Sequence, residues 1–237
     1  MALFLCLNFF AIHLQPCVKT MSVNKQKYTE LQKELEGKAT LVAVSKTKPV
    51  DDLQALYDLG QRDFGENYVQ ELVDKQAFLP KDIRWHFIGH LQSNKVKFIA
   101  PFVHLIHGVD SESLLKEIDK QAAKNNRIID CLLQVHIATE ETKFGLDEAE
   151  LRNLKCSDYH NVNIKGLMGM ASFSNDMQLV KYEFKLLKKL YDQLPAQGIN
   201  PSILSIGMSG DYTIAVEEGS NMVRIGSLLF GERNYNK

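Results

Sequence analysis

The sequence predicts a single (β/α)8 barrel, and three observations carry that reading. Eight short apolar runs alternate with helical patterns along the 237 residues. Several of those runs are nearly continuous in apolar residues, as strands of a parallel sheet covered on both faces must be. The alternation fills about 200 residues, a length such barrels use, and no Pro/Gly/Ser-rich linker divides it. An open doubly wound sheet could hold the same alternation; the count of eight decides for the barrel.

The elements follow in order. KQKYTELQKELEG (25–37) reads as a polar first helix with Gly37 as its stop. The strand runs are TLVAVSK (40–46), RDFGEN (62–67), RWHFIG (84–89), HLIHGV (104–109), IIDCLLQVHI (128–137), NIKGLMGMA (163–171), SILSIGM (202–208) and NMVRIGSLLFG (221–231). Between them lie VDDLQALYDLG (50–60), YVQELVDKQAFL (68–79), SNKVKFIAPF (93–102), SESLLKEIDKQAAKN (111–125), LDEAELRNL (146–154), MQLVKYEFKLLKKLYDQL (177–194) and YTIAVEEG (212–219), each with helical spacing. Every strand but the last is therefore followed by a helix.

The N-terminal stretch stands apart. It is apolar for its first dozen residues and has no Lys or Arg before Lys19. A secretory signal needs a positive start, a spanning helix needs about 20 apolar residues, and a mitochondrial presequence is Arg-rich. The stretch 1–24 is read as a flexible extension, with a weak signal-like segment or a second start at Met21 as the alternatives, and 25–237 as the barrel domain.

A formal net charge of -1 gives no overall bias toward nucleic acid or an anionic membrane. The four cysteines, Cys6, Cys17, Cys131 and Cys156, form no C-x-x-C pair and no zinc-ligand spacing. Cys131, inside IIDCLLQV, reads as a buried free thiol, which fits a reducing compartment. The expected location is the cytoplasm, with the mitochondrion as the alternative. His86 lies in the third run, His90 just past it, and His104 and His107 in the fourth, with no carboxylate at ligand spacing, so they read as core or surface residues and no metal site is expected.

Chemistry in such a barrel sits at the carboxyl ends of the strands. Lys46 ends the first run, Asn67 the second and Met208 the seventh. SIGMSGD (205–211) puts Gly207, Ser209 and Gly210 at a turn into a helix, and RIGS (224–227) puts Gly226 and Ser227 near the end of the last run. Barrels often hold phosphate after strands seven and eight, where backbone N–H groups favour a dianion and glycine lets the chain come close. Each glycine is equally a plain turn residue, and Lys46 equally a surface lysine at a strand end. Closure brings strand eight beside strand one, so an amine and a phosphate cradle would share one mouth. That pairing suits a phosphorylated aldehyde held as a Schiff base, for which pyridoxal phosphate is the leading candidate, with Arg224 facing its ring. Lys48 and Lys143 are further mouth-side lysines, either secondary acceptors or solvated loop residues.

The segments AVSKTKP (43–49), FGENYVQE (64–71), WHFIGHLQSNK (85–95), GLMGMA (166–171), SIGMSGD (205–211) and MVRIGSLLFGER (222–233) closely resemble the pyridoxal phosphate homeostasis proteins, a family related to the N-terminal barrel domain of alanine racemase. The resemblance covers residues 25 to 235 and implies a barrel of that type. It also implies that Lys46 carries pyridoxal 5'-phosphate as an internal aldimine. Ser209, Gly226 and Ser227 then fall on phosphate-binding positions, Arg224 beside the pyridine nitrogen, and Asn67 and Met208 on the pocket lining.

A guanidinium beside the ring nitrogen should keep that nitrogen unprotonated and weaken the ring as an electron sink. Related racemases add a tyrosine from a second domain, for which the sequence after the last strand leaves no room. The expectation is a monomeric carrier without strong catalysis that serves apo-enzymes dependent on the cofactor. An amino-acid racemase is the alternative, and a regulatory module that senses the cofactor is a third reading.

Overall fold

The computed structural model describes residues 23–140 and 143–232. The extension expected over 1–24 lies, apart from its last two residues, outside the described residues. Helix α1 (Lys25–Leu35) leads into β1 (Thr40–Val44). There follow α2 (Val50–Asp58), β2 (Asp63–Glu66), α3 (Val69–Phe78), β3 (Arg84–Phe87) and a short α4 (Val96–Ile99). Next come β4 (Leu105–Val109), α5 (Glu112–Lys124), β5 (Ile129–Gln134), α6 (Glu148–Asn153) and β6 (Val162–Met168). Helix α7 (Met177–Gln193), β7 (Ile203–Ser205), α8 (Tyr212–Glu217), β8 (Met222–Ile225) and α9 (Ser227–Phe230) complete the order. The eight strands close in sequence order, each parallel to the next, and β8 returns to β1 with Arg224 opposite Val42. The expected barrel is therefore the fold.

Side-chain alternation sorts the apolar residues into two layers. Val42, Leu105, Leu132, Met168 and Met222 form one small cluster. Its members come from strands on opposite sides of the sheet, so they can meet only inside the barrel. The neighbouring positions Leu41, Ala43, Phe64, Cys131, Leu133 and Val223 belong to the larger outer core, together with Leu53, Leu72, Ile118 and Phe184 from the helices. Each fully buried Leu or Phe contributes about 1.5–3 kcal/mol of transfer free energy. Cys131 is the buried free thiol expected, and burial pushes its ionisation well above the ordinary thiol range.

Caps set the helix starts. Asn24 accepts from Lys27 N at α1, Ser111 from Leu114 N at α5, and Asp147 and Glu150 make a reciprocal capping box at α6.

The structure corrects several boundaries. The run 221–231 is not one strand: β8 stops at Ile225, and Ser227–Phe230 turns into α9, burying Leu229 and Phe230. The last strand thus also has its helix. Short apolar runs look alike in either conformation, so spacing could not separate them. The helix expected over 93–102 is a 3₁₀ turn (Ser93–Lys95) followed by the four-residue α4. Pro101 has no N–H to bond Lys97 O, so the ladder cannot continue. The first strand stops at Val44, which leaves Lys46 in the turn beyond it rather than in the strand.

Candidate functional site

The turn after β1 carries Lys46, and its shape is held from both sides. Lys48 N donates to Ser45 O at 3.0 Å. Thr47 takes a left-handed φ of 63°, a conformation that costs a non-glycine residue about 1 kcal/mol. A buried ion cluster holds it there. Ser45 Oγ donates to Glu66 Oε1 at 2.6 Å, and Lys75 Nζ donates to Ser45 O at 2.7 Å. Lys75 also pairs with Glu66 at 2.7 Å and Glu71 at 2.6 Å, while Thr47 N donates to Glu71 Oε1 at 2.6 Å. The residues before and after Lys46 are thereby fixed to β2 and α3. Burial pushes the Glu66 carboxyl up to about 7 against the lowering effect of Lys75, and its Oε2 is buried without a hydrogen-bond partner.

The turns after β7 and β8 lock together. Gly207 has φ +94°, and a Cβ there would sit 2.6 Å from the Ala215 Cβ, so only glycine fits. Arg224 N donates to Gly207 O at 3.0 Å. Gly226 N donates to Ser209 Oγ at 3.2 Å, which joins the two glycine turns. Asp211 accepts from Met208 N at 2.5 Å and steadies the loop between them.

These turns enclose a cavity of about 300 Å³ at the carboxyl end of the barrel. Lys46, Asn67, Met208, Ser209, Arg224, Gly226 and Ser227 all line it, so the structure brings together the seven positions that the family resemblance implies. Arg224 is buried at 4% exposure with its guanidinium pointed inward. It donates to Ser205 O and Ser205 Oγ, both at 2.7 Å, and to Gly169 O at 2.9 Å. Those bonds use three of the five N–H groups of a guanidinium. Burial pulls Arg224 down to about 10, with the charge of Asp211 opposing, so it stays cationic at neutral pH. Asn67 carries a buried Oδ1 without a partner. An amine, an inward guanidinium, two hydroxyls and a buried amide oxygen around one cavity suit a small anionic aromatic aldehyde. A pyridine phosphate of this kind fits the donor set.

The remaining lysines separate. Lys48 lines the cavity and donates to Phe230 O at 2.7 Å. Lys143 does not line it; it donates to Ala171 O at 2.5 Å and pairs with Glu140 at 3.3 Å. Sequence reading missed the apolar walls Val44, Ile88 and Met170. Their signal was present, since each lies at or just past the end of a strand. The histidine reading needs a correction. His86 lies 3.0 Å from Asp63 and His90 lies 2.8 Å from Asp110, so carboxylates do meet them. The pairs form across neighbouring strands and helix starts, about twenty residues apart in the chain, where linear spacing carries no information. Among the described residues no three His, Cys, Asp or Glu side chains gather as a metal site. Nor is any described helix long and apolar enough to cross a membrane.

The fold and the mouth together define a ligand-binding barrel of the alanine racemase N-terminal type. The family model for the alanine racemase N-terminal domain matches residues 23–234. A pyridoxal phosphate homeostasis protein of Aquifex aeolicus is 41% identical over 214 residues, covering 89% of this chain and 94% of its own. One from Homo sapiens is 42% identical over 220 residues, covering 83% and 78%. Among solved structures, PipY of Synechococcus elongatus with PLP bound superposes with a TM-score of 0.81 at 35% identity, over 87% of this chain and 99% of PipY. Alanine racemase from Bartonella henselae shares the fold, with a TM-score of 0.67 at 19% identity over 88% of this chain and 59% of the racemase. The chain belongs to the pyridoxal phosphate homeostasis protein family.

Proposed function

We propose that this protein binds pyridoxal 5'-phosphate in the barrel mouth and serves the cell's supply of that cofactor as a carrier rather than as a catalyst. The observation that carries this reading is the convergence of Lys46, Arg224 and the Ser209–Gly226–Ser227 turns on one cavity. The cofactor supplies an aldehyde that a lysine amine takes up reversibly with loss of water. Lys46 is the covalent attachment point, on a turn pinned to β2 and α3. Ser209, Gly226 and Ser227 hold the phosphate through hydroxyl and backbone N–H donors. Asn67 and Met208 flank the ring. Arg224 faces the ring nitrogen, and its fixed charge disfavours a proton there, which suits holding the cofactor over activating it. The recipients are apo-enzymes that require the cofactor. The family relationship and the PLP-bound PipY support this reading.

The test is a visible spectrum of the purified protein, with and without borohydride, for wild type and Lys46→Ala. A yellow wild type that bleaches on reduction and a colourless mutant are expected. A colourless wild type loaded with the cofactor, or an unchanged yellow mutant, would sink the assignment. Racemase assays with D- and L-amino acids test the carrier reading separately; turnover near 1 per second or faster, about the ordinary enzyme range, would overturn it.

A further inference from the structure

Below the mouth, the barrel interior is not purely apolar. A row of buried polar side chains runs from Arg224 toward the opposite end. Arg224 Nη1 lies 2.7 Å from Ser205 Oγ, and Ser205 Oγ lies 3.1 Å from His107 Nδ1. His107 Nε2 lies 2.9 Å from His86 Nδ1, and His86 Nε2 lies 3.0 Å from Asp63 Oδ1. Both Asp63 oxygens also accept from Arg84. Ser205, His107 and His86 are at most 1% exposed. Asp63 and Arg84 line a second cavity of about 460 Å³ at the amino end of β1 to β3. The row therefore joins the two ends of the barrel through its interior.

Its direction is set from the anionic end. Asp63 as a carboxylate can only accept, so His86 donates to it from Nε2. With His86 neutral, its Nδ1 accepts from His107 Nε2, and with His107 neutral its own Nδ1 accepts the Ser205 proton. At the other end a guanidinium has no acceptor, so Arg224 donates to a lone pair of Ser205 Oγ and leaves the serine proton available for His107. The anion therefore imposes the polarity and the cation is compatible with it. A proton added at His86 would make His107 donate from Nδ1 to the second lone pair of Ser205 Oγ and turn the serine proton away.

We propose that Ser205, His107, His86 and Asp63 form a one-directional hydrogen-bond chain that positions Arg224 in the mouth and couples it to the solvent-facing Asp63–Arg84 pair. These four are positioning residues, and nothing in the row touches the ligand except through Arg224. The charged and titratable groups around the two rings are Asp63 from β2, Arg84 on β3, His104 just before β4 and Arg224 on β8. Burial, with repulsion from the Arg224 cation, holds His107 well below the usual imidazole range, in keeping with a neutral ring. Hydrogen bonds from Arg84 and His86 outweigh burial and hold Asp63 at about 2, in keeping with an ionised end.

The effect on the ligand rests on the cofactor reading above, but the polarity does not, so the two are tested apart. Nitrogen-15 NMR of the imidazoles in the full chain, without added cofactor, should give His86 and His107 as neutral Nε2–H tautomers at pH 7. In Ser205→Ala, which cannot donate to His107, the His107 Nδ1 signal should move and the His86 signal follow. A charged ring, an Nδ1–H tautomer at either position in the wild type, or a His86 signal indifferent to Ser205→Ala overturns the chain. Pyridoxal phosphate titration then reads positioning. Ser205→Ala should bind about tenfold more weakly with a displaced absorbance maximum, and Ser205→Thr, which keeps the hydroxyl, should restore both. Equal affinity and spectrum in wild type and Ser205→Ala, in a protein that does turn yellow, contradicts the positioning role while leaving the cofactor reading intact.

Discussion

At Lys46 the chemistry depends on the neighbours more than on the lysine. The amine sits beyond β1 on a turn with one left-handed residue, and Glu66, Lys75 and Glu71 hold that turn by bonds to Ser45 and Thr47. Replacing Lys75 with Met leaves Glu66 buried and unpaired, and should cost about 3 kcal/mol or more in denaturant unfolding, with weaker cofactor retention. Arg224 permits a sharper test. Arg224→Glu puts a carboxylate where the proposed function has the guanidinium facing the ring, and should shift the visible spectrum of the bound cofactor; an unchanged spectrum would count against that proposed placement. Lys46, Asn67, Met208, Ser209, Arg224, Gly226 and Ser227 were legible because they lie at strand ends in compact motifs. Ser205, His107, His86 and Asp63 were not, because only the closed register brings positions this far apart into one row.

Among the elements, β6 and β7 depend on one missing side chain. Gly166 has φ +144°, and a Cβ there would fall 2.0 Å from Ile203 O. Gly166→Ala should prise the two strands apart, lowering stability by about 2 kcal/mol or more by thermal unfolding. Leu132→Ala empties the small interior cluster and should cost about 2–5 kcal/mol in the same measurement. The alternation of runs foretold all eight strands and most helices, since each buries one face against the next layer. The end of β8 was hidden because Leu228, Leu229 and Phe230 are as apolar in a helix as in a strand. The break in α4 was written in Pro101, which lies two residues past its end.

Across the whole molecule, the buried charges give stability a definite pH dependence. Asp63 falls from 3.8 to about 2 on folding, so its contribution is present above the unfolded value and is lost as pH drops from about 4 toward 2. That loss amounts to about 2 kcal/mol at 1.36 kcal/mol per pKa unit, and Asp63→Asn should remove it from a pH series of urea unfolding curves. Glu66 acts in the other sense. Its folded value rises from 4.5 to about 7, so the native state holds the extra proton and stability declines as pH climbs through that interval. The two effects bracket a stability optimum between them.

Both ends of the barrel bear on one claim, that the mouth holds pyridoxal phosphate through Lys46. Borohydride reduction of the loaded protein followed by peptide mass mapping tests it most directly. A reduced pyridoxyl adduct is expected on the peptide carrying Lys46, absent from Lys46→Ala. An adduct found instead on Lys48 or Lys143 with Lys46 unmodified, or none on a protein that binds the cofactor, would contradict it.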